Sequence, residues 1–359
     1  MKKIKTAVLG CTGLVGNEFV RLLDDHPYFS LALLTASSRS AGKAFAEAAV
    51  DRTGAPLRAG TRAQVIHETT IEAVVQSGAR IVFSALPAAT AGPLEAGLRA
   101  GGLGVFSNAS AHRMDPLVPL LVPEVNPGHL ELARRQLREY PGFIVTNPNC
   151  VVAGLALALK PLLAFGLRGV TVTTFQAVSG GGRRGVAAWD ILGNVVPHIA
   201  GEEEKIVHET RKILGTLAAK QVRDHDLEIY PSCSRVAVKD GHLQSVAVEF
   251  PAAVSAGEIA AALSAFMAEP QRLGLPSAPR HPIVVRSEAD RPQPALDVQA
   301  GEPARARGMA VSVGRLRSQG KRASLFLLVH NTVRGAAGGS LLNAELAVQQ
   351  DLIPGVRHA

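Results

Sequence analysis

Residues 4–23 read IKTAVLGCTGLVGNEFVRLL, and this stretch decides the fold of the first half of the chain. The apolar run Ile4–Leu9 predicts a buried strand, and the residues after Gly16 have the spacing of a helix. Gly10, Gly13 and Gly16 lie between the two. A glycine-rich turn at this point lets backbone N–H groups approach a pyrophosphate at the positive end of the helix. The pattern therefore favours a dinucleotide-binding fold, although a tight turn alone can also require glycine.

The end of the next predicted strand indicates which dinucleotide would bind. Residues 37–43, which follow that strand, read SSRSAGK. An NAD site commonly has an Asp or Glu here for the ribose 2′-hydroxyl, and this chain has none. Hydroxyl and cationic groups suited to a 2′-phosphate are present instead, on Ser37, Ser38, Arg39, Ser40 and Lys43. We therefore predict NADP as the cofactor.

The remaining strands predict two different sheets. Apolar runs at Arg80–Pro87, Gly104–Ser110 and Phe143–Asn147, with helical stretches between them, predict a Rossmann-type doubly wound parallel sheet. Beyond Cys150 the strands become longer and alternate between apolar and polar residues, which is typical of an antiparallel sheet. We therefore place a domain boundary near Asn149, with an α/β domain before it and an α+β domain after it.

Composition narrows the class of protein. The 359 residues are 47% hydrophobic and 19% charged, as expected of a globular chain long enough for two cores. The net charge of +8 comes from scattered Lys and Arg residues, so we expect no nucleic-acid partner. No apolar run reaches roughly 18 residues, and Met1–Lys5 leads straight into a strand, so we expect neither membrane association nor a secretory signal. Three cysteines are too few for a disulfide scaffold, which favours the cytoplasm.

Cys150 lies in FIVTNPNCVVAG (residues 143–154), between the end of a strand and the start of an apolar helix. At a helix N-terminus, the macrodipole and free N–H groups can lower a thiol pKa below its ordinary value of about 8.5. The same N–H groups, with the side chain of Asn149, could bind an oxyanion. The position favours a nucleophile. Cys11 and Cys233 are interpreted as structural, since most free cysteines are small buried apolar residues.

Motifs along nearly the whole chain resemble, in the same order, those of the aspartate-semialdehyde dehydrogenase family in the form shared by archaea and fungi. They read GCTGLVG, SSRSAGK, FSNASAHRMDP, LVPEVN, NPNC, QAVSGGG, GEEEK, SRVAVKDGH and HNTVRGAAGG. The family reduces β-aspartyl phosphate with NADPH to aspartate semialdehyde and phosphate, at the branch toward lysine, threonine and methionine. The resemblance implies an NADP-binding domain over 1–149, a catalytic and dimerisation domain over 150–337, and a C-terminal helix over 338–353 that packs back on the first. It also implies a homodimer or homotetramer.

The resemblance also implies roles for individual residues. Cys150 would attack the acyl phosphate and form a thioacyl enzyme, with His242 as acid and base and Gln176 orienting the substrate. Charged groups would bind the substrate itself: Arg235 its α-carboxylate, Glu202 its α-amino group, and Lys205 with Arg113 its phosphate. Each residue also has a plainer interpretation, since His242 lies beside a glycine turn and GEEEK is a typical acidic helix start.

On the cofactor side, the resemblance implies that the glycine turn binds the pyrophosphate and that Ser37–Ser40 bind the 2′-phosphate. Other contacts would come from the end of a strand and from two loops around the nicotinamide. The implied cofactor-binding residues are Gly10, Thr12, Gly13, Leu14, Val15, Gly16, Ser37, Ser38, Arg39, Ser40, Ser84, Leu86, Pro87, Ser179, Gly180, Gly181, Asn331 and Thr332. We expect no metal ion.

Two departures from the family pattern lie near the expected substrate. Val151 and Val152 replace small hydroxyl residues, and Arg183 and Arg184 replace an aromatic residue and a proline. They leave open a related acyl reductase that acts on malonyl-CoA or on an N-acetylglutamyl-type phosphate. The four charged substrate residues favour an amino-acid acyl phosphate. A non-catalytic NADP-binding protein is a third alternative, but it would not need the cysteine, glutamine and histidine together.

Overall fold

The computed structural model describes residues 3–49, 57–182, 185–219 and 221–356, and its first sheet is parallel throughout. The six strands are β1 (Ile4–Leu9), β2 (Phe29–Ala36), β3 (Ile66–Glu68), β4 (Ile81–Ser84), β5 (Gly104–Ser107) and β6 (Phe143–Thr146). They lie in the order β3-β2-β1-β4-β5-β6. Every residue of β4, β5 and β6 is buried, as a sheet covered on both faces requires. The predicted doubly wound sheet is confirmed.

Helices connect these strands and bring the carboxyl ends of β1 and β4 to one edge. They are α1 (Leu14–Leu23), α2 (Phe45–Ala48), α3 (Ala59–Ala63), α4 (Ile71–Gln76), α5 (Ala88–Ala100) and α6 (Glu131–Glu139). The strand order reverses between β1 and β4, and open α/β sheets bind ligands at such a point. The glycine turn Gly10–Gly13 lies there, directly before α1.

The second sheet is mixed, with antiparallel pairing at its centre. Its strands are β7 (Gly169–Gln176), β10 (Glu228–Arg235), β11 (His242–Glu249), β12 (Ile283–Val285), β13 (Val311–Gln319) and β14 (Arg322–Val329); β8 (Thr216–Leu217) and β9 (Val222–Arg223) form a separate hairpin. In the order β10-β7-β11-β14-β13-β12 the inner pairs are antiparallel and both edge pairs are parallel. The predicted antiparallel sheet is therefore confirmed for the inner strands.

The helices of this half are α7 (Cys150–Leu159), α8 (Ala188–Ile191), α9 (Glu202–Leu214), α10 (Ala256–Ala265), α11 (Glu269–Arg272), α12 (Pro294–Asp297) and α13 (Gly338–Gln349). Of these, α7 is buried on all sides, and no residue from Val151 to Leu159 is more than 2% exposed. It packs so closely on β14 that a Cβ added at Gly154 would lie 2.7 Å from Cβ of Val329. Within the described ranges, no helix is both long and apolar enough to cross a membrane.

Two features join the C-terminal segment to the rest of the chain. Helix α13 packs in the core of the first sheet, to which it contributes Leu341, Leu342 and Leu346. The π-helical turn Val333–Ala337 before it carries Arg334, whose guanidinium donates two hydrogen bonds of 2.7 Å to Glu124. Both side chains are essentially inaccessible to solvent. Such a pair is costly to break, because removing one partner leaves the other charge buried and uncompensated.

We therefore predict that Glu124→Gln lowers the free energy of unfolding by about 3 kcal/mol, since the neutral amide leaves the buried Arg334 charge uncompensated. Urea denaturation would measure the change. The matched control is Glu131→Gln, because Glu131 pairs with Arg134 at 3.7 Å on the surface and should change stability by less than about 0.5 kcal/mol. Equal effects of the two substitutions would contradict a stabilising buried pair.

Candidate active site

Cys150 and His242 meet where α7 and β11 begin. Cys150 is the first residue of α7, and its Sγ lies 3.2 Å from Nε2 of His242, the first residue of β11. The backbone of Gly335 closes over the cysteine, since a Cβ added there would lie 2.6 Å from Cβ of Cys150. The structure thus brings together the predicted nucleophile and the predicted acid/base.

A backbone contact fixes which nitrogen of His242 carries the proton. The N–H of Ala177, the residue after β7, donates to Nδ1 at 3.0 Å. A nitrogen that accepts this bond carries no proton, so the neutral ring holds its proton on Nε2, facing Sγ. Burial, and next the charge of Arg235, lower the pKa of His242 to about 3. His242 is therefore a neutral donor toward the sulfur.

The thiol of Cys150 is also held in its neutral form. Burial, and next the charge of Glu202, raise its pKa to about 12, while Arg113 and Arg235 act in the opposite direction. The prediction of a lowered thiol pKa is wrong for this arrangement, because burial outweighs the helix N-terminus. Cys150 is nevertheless the most accessible of the three cysteines, since Cys11 and Cys233 are fully buried.

Asn149 caps α7 and holds Glu202 at the mouth of the helix. Its Oδ1 accepts the N–H of Val151 at 2.9 Å, and its Nδ2 donates to Oε1 of Glu202. The other oxygen of Glu202 lies 3.5 Å from Nζ of Lys205. The Asn149 amide thus caps α7 with its oxygen and orients the Glu202 carboxylate beside Cys150 with one N–H of Nδ2.

Arg235 and Gln176 end two neighbouring strands, β10 and β7, and are directly paired in register. Nη1 of Arg235 donates to the carbonyl of Ala177 at 2.8 Å, and Gln176 is almost fully buried. Gly180 closes over this corner: an added Cβ would lie 2.6 Å from Nη1 of Arg235 and 3.1 Å from Cε1 of His242. A side chain at Gly180 would therefore displace the guanidinium of Arg235 and crowd the ring of His242.

Arg113 is buried and already paired. Its Nη1 donates to Oε1 of Glu209 at 2.9 Å, and its Nη2 donates to the carbonyl of Asn108 at 2.7 Å. Sequence reasoning missed Glu209. A signal was available, since Glu209 lies seven residues, or about two helical turns, after Glu202 and so on the same helix face.

A cleft of about 440 Å³ lies between the start of α1 and the loop after β7. Three predicted cofactor residues line it: Leu14, Ser179 and Thr332. Behind them, Asn331 donates to Oγ of Ser179 at 2.8 Å and accepts the N–H of Gly241 at 2.9 Å. Lining residues that sequence reasoning missed are Asn17, Glu18, Arg21, Lys239, Asp240, Gln299, Arg307 and His330.

The glycine turn beside this cleft fits a dinucleotide. Gly10 has φ +73°, and a Cβ added at Gly16 would lie 2.1 Å from the carbonyl of Gly10, so both positions require glycine. Ser84 ends β4 and is buried, while Leu86 and Pro87 follow it before α5. Ser37, Ser38 and Arg39 form an exposed turn after β2, open to a phosphate group. The chain provides both a pyrophosphate cradle and a cationic turn.

The structure accounts for one of the two departures noted in the sequence. The side chains of Val151 and Val152 are fully buried in the core of the second sheet, so they do not face a substrate. Arg183 and Arg184 lie outside the described residues.

Comparison with known proteins gives consistent matches. Residues 5–133 match the semialdehyde dehydrogenase NAD binding domain, and residues 159–334 match the semialdehyde dehydrogenase dimerisation domain. An aspartate-semialdehyde dehydrogenase of Methanothermobacter thermautotrophicus is 46% identical over 96% of this chain and 98% of its own length. A crystal structure of the Candida albicans aspartate semialdehyde dehydrogenase with NADP has a TM-score of 0.88 at 37% identity, over 98% of this chain and all of that one.

A malonyl CoA reductase (NADP) of Metallosphaera sedula is also similar, at 38% identity over 98% of this chain and 99% of its own length. Relatives that match nearly the whole chain thus carry two different enzyme names.

We predict that the alkylation rate of Cys150 depends steeply on pH, because the pKa of its thiol is raised. Only the thiolate reacts with iodoacetamide, so the rate of labelling should rise about tenfold per pH unit from about pH 7 to about pH 9. Mass spectrometry of the labelled peptide would measure the rate and identify Cys150, the most accessible cysteine, as the residue labelled first. A rate that levels off near neutral pH would show a lowered pKa and contradict the dominance of burial.

Proposed function

This chain belongs to the aspartate-semialdehyde dehydrogenase family, and we propose that Cys150 is the nucleophile with which it reduces β-aspartyl phosphate to aspartate semialdehyde and phosphate. The observation that carries the assignment is the 3.2 Å contact between Sγ of Cys150 and Nε2 of His242 at the mouth of α7. The chain is an NADP-dependent oxidoreductase of amino-acid biosynthesis, at the branch toward lysine, threonine and methionine.

In the first half of the reaction, Cys150 replaces the phosphate. The sulfur attacks the acyl carbon, a C–S bond forms, and the C–O bond to phosphate breaks so that phosphate leaves with the electron pair. The buried thiol is neutral before substrate binds, so its proton leaves as the C–S bond forms and passes to the departing phosphate, which is released as hydrogen phosphate. Arg113 and Arg235 favour the negative sulfur, and Nε2–H of His242 donates to it.

In the second half, the glycine turn and the adjoining cleft would hold NADPH, which would supply a hydride to the acyl carbon. The C–S bond then breaks to give the aldehyde, and the sulfur again carries negative charge. Because its proton is on Nε2, His242 stabilises that charge by a hydrogen bond that points at the sulfur. Since Nδ1 already accepts from Ala177, His242 acts as a donor in this tautomer and not as the base that the resemblance implies. The backbone N–H of Ala177 keeps the ring in this orientation throughout.

The charged residues around Cys150 fit an aspartyl group. Arg235 has guanidinium donors beyond the one that binds Ala177, and these suit an α-carboxylate. Glu202, oriented by Asn149 beside Lys205, provides a carboxylate for an α-ammonium group. Lys205 and Arg113 would bind the phosphate. The malonyl group has no ammonium for Glu202 to bind, which favours the aspartyl substrate over malonyl-CoA.

The experiment that tests this function follows NADP reduction in the reverse direction. We expect phosphate-dependent oxidation of aspartate semialdehyde, and at least tenfold lower kcat/KM with malonate semialdehyde and coenzyme A. Cys150→Ser should lose turnover, because a hydroxyl is a far poorer nucleophile near neutral pH, while its Kd for NADPH stays within about twofold.

The matched control is Cys233→Ser, because Cys233 is a fully buried thiol on β10 and should not enter the chemistry. It should keep most of the activity. Turnover that survives in Cys150→Ser would refute the nucleophile, and a preference for coenzyme A over phosphate would favour the malonyl alternative.

The same family assignment supports a division of the chain into two functional units. We propose that residues 1–149, together with 338–353, form the NADP-binding unit and that 150–337 form the catalytic and dimerisation unit. The packing of α13 in the core of the first sheet supports this division. We also place the protein in the cytoplasm, where its three free thiols, among them the nucleophile, would stay reduced.

We further propose a homodimer formed through the second sheet. Helices α7, α9 and α10 pack on one face of this sheet, where the buried residues of each strand point. The opposite face carries small and apolar side chains that stay exposed or half-buried: Thr171, Thr173, Phe175, Leu243, Ser245, Ala247, Ser324 and Phe326. These eight side chains are uncharged, so a second copy of the chain can bury them without burying a charge. The sheet also lies within the matched dimerisation domain.

Ala247→Arg places a charge on this face beside Thr171 and Ser324. For the unmodified protein, light scattering should give twice the chain mass of 37.6 kDa. For the variant, the measured mass should shift toward that of a single chain, because a buried unpaired charge opposes association. Arg138→Glu changes a charge on the exposed face of α6 and should leave the mass unchanged. A monomeric unmodified protein, or a variant that remains dimeric, would contradict this interface.

A further inference from the structure

Helix α9 carries four charged residues on one face, and the resemblance assigns a role to only two of them. Glu202, Lys205, Glu209 and Lys212 are separated by intervals of three and four residues, which places them in one row along the helix. Glu202 binds Asn149 beside Cys150, and Lys205 pairs with Glu202 as described above. Glu209 and Lys212 follow in the same row and are only 2% and 4% exposed. Buried charges of this kind need partners, and their partners show what they do.

Each carboxylate oxygen of Glu209 binds a different part of the chain. Oε1 accepts from Nη1 of Arg113 at 2.9 Å, and Oε2 accepts the backbone N–H of Asn149 at 2.6 Å. Arg113 lies in the loop that follows β5 of the first sheet, whereas Asn149 is the residue that caps the cysteine helix. One carboxylate therefore fixes the guanidinium of Arg113 relative to the mouth of α7.

Lys212 holds the loop that carries Arg113. Its Nζ donates to three backbone carbonyls, those of Arg113 at 2.6 Å, Asp115 at 2.9 Å and Val118 at 3.1 Å. All three protons of the ammonium group are thus used. Glu209 binds the side chain of Arg113 and Lys212 binds its backbone, so α9 determines where this arginine lies.

Arg113 retains a donor for a ligand. Its Nη1 and Nη2 are occupied by Glu209 and Asn108, but its Nε is buried and makes no hydrogen bond within the described part of the chain. An unpaired buried donor of this kind is costly unless a ligand meets it. An anion that reaches Nε would lie at a distance from Sγ of Cys150 that Glu209 sets.

We propose that Glu209, with Lys212 behind it, is the positioning residue for the phosphate site: it holds Arg113 where the departing phosphate of the acyl substrate meets the guanidinium. This inference rests on the proposed function, since it takes Arg113 as a phosphate ligand. Glu209 does not touch the reacting atoms and acts through Arg113 and through the cap of α7.

The arrangement requires a carboxylate and not merely a polar group of the same shape. Both oxygens of Glu209 accept from N–H donors on opposite sides. A glutamine has one oxygen and one NH₂ group, so one donor, either Arg113 or the N–H of Asn149, would face another donor. Glu209→Gln therefore displaces one of the two groups without changing the volume of the side chain.

The test measures phosphate-dependent NADP reduction with aspartate semialdehyde. We expect Glu209→Gln to raise the KM for phosphate at least tenfold, while the Kd for NADPH stays close to that of the unmodified enzyme. The melting temperature should fall, because a buried donor loses its acceptor, but the variant should stay folded at the assay temperature. The matched control is Glu204→Gln, which removes the same charge from an exposed position of α9 and should change the KM less than twofold. An unchanged or lowered KM for phosphate in Glu209→Gln would overturn the proposal.

A double-mutant cycle separates positioning from a general loss of structure. If Glu209 acts through Arg113, adding Glu209→Gln to Arg113→Ala should change the KM for phosphate less than twofold further. Independent, multiplicative effects would overturn the proposal. If Glu209→Gln does not fold, Lys212→Gln is a second test. It should also raise the KM for phosphate and leave the KM for aspartate semialdehyde unchanged. An unchanged KM for phosphate in Lys212→Gln would overturn the proposal as well. Failure of the unmodified enzyme to use phosphate would instead refute the proposed function, and this inference with it.

Discussion

The burial of α7 is the constraint on which the active site depends. A helix surrounded by core on every side cannot shift or rotate without disturbing the packing of the second sheet, so the sulfur at its first residue has a fixed position. Gly154 and Gly335 allow the neighbouring chain to approach α7 and Cys150 more closely than any side chain would permit. The groups proposed to act on substrate are arranged around Cys150, on strand ends, on α9 and, for Arg113, on a loop that Lys212 holds.

Before substrate binds, Cys150 and His242 are both uncharged. Burial favours the neutral form of both the thiol and the imidazole, and the backbone of Ala177 decides where the imidazole proton lies. Charge is concentrated instead on the residues proposed to bind substrate: two arginines, a lysine and a carboxylate. The hydrogen-bond donors are thus in place before negative charge develops on the sulfur or on the departing oxygen. The side chains therefore need to move little as that charge forms.

Local patterns in the sequence predicted the elements that local interactions determine. The glycine turn, the strand-to-helix junction at Cys150 and the alternation of the second sheet depend on residues close together in the chain, and these were predicted. The thiol pKa was predicted in the wrong direction, because burial by distant segments outweighs the helix N-terminus. Pairs such as Arg334 with Glu124 join residues far apart in sequence, and no local pattern indicates them. Helical spacing places Glu209 on the same face as Glu202, but it does not indicate that Arg113 is its partner. The engaged amide of Asn149 depends on Glu202 in the same way.

The position of α13 affects how the protein is made. The strands of the first sheet are all synthesised within the first half of the chain, yet their core is completed by a helix near the C-terminus. The turn that precedes this helix supplies Gly335, which closes over Cys150. Until residues 335–349 have been synthesised, Cys150 lacks this cover and the first sheet lacks one apolar layer of its core. The first sheet therefore cannot complete its packing as its own strands emerge, and its folding waits for a segment that follows the whole second sheet.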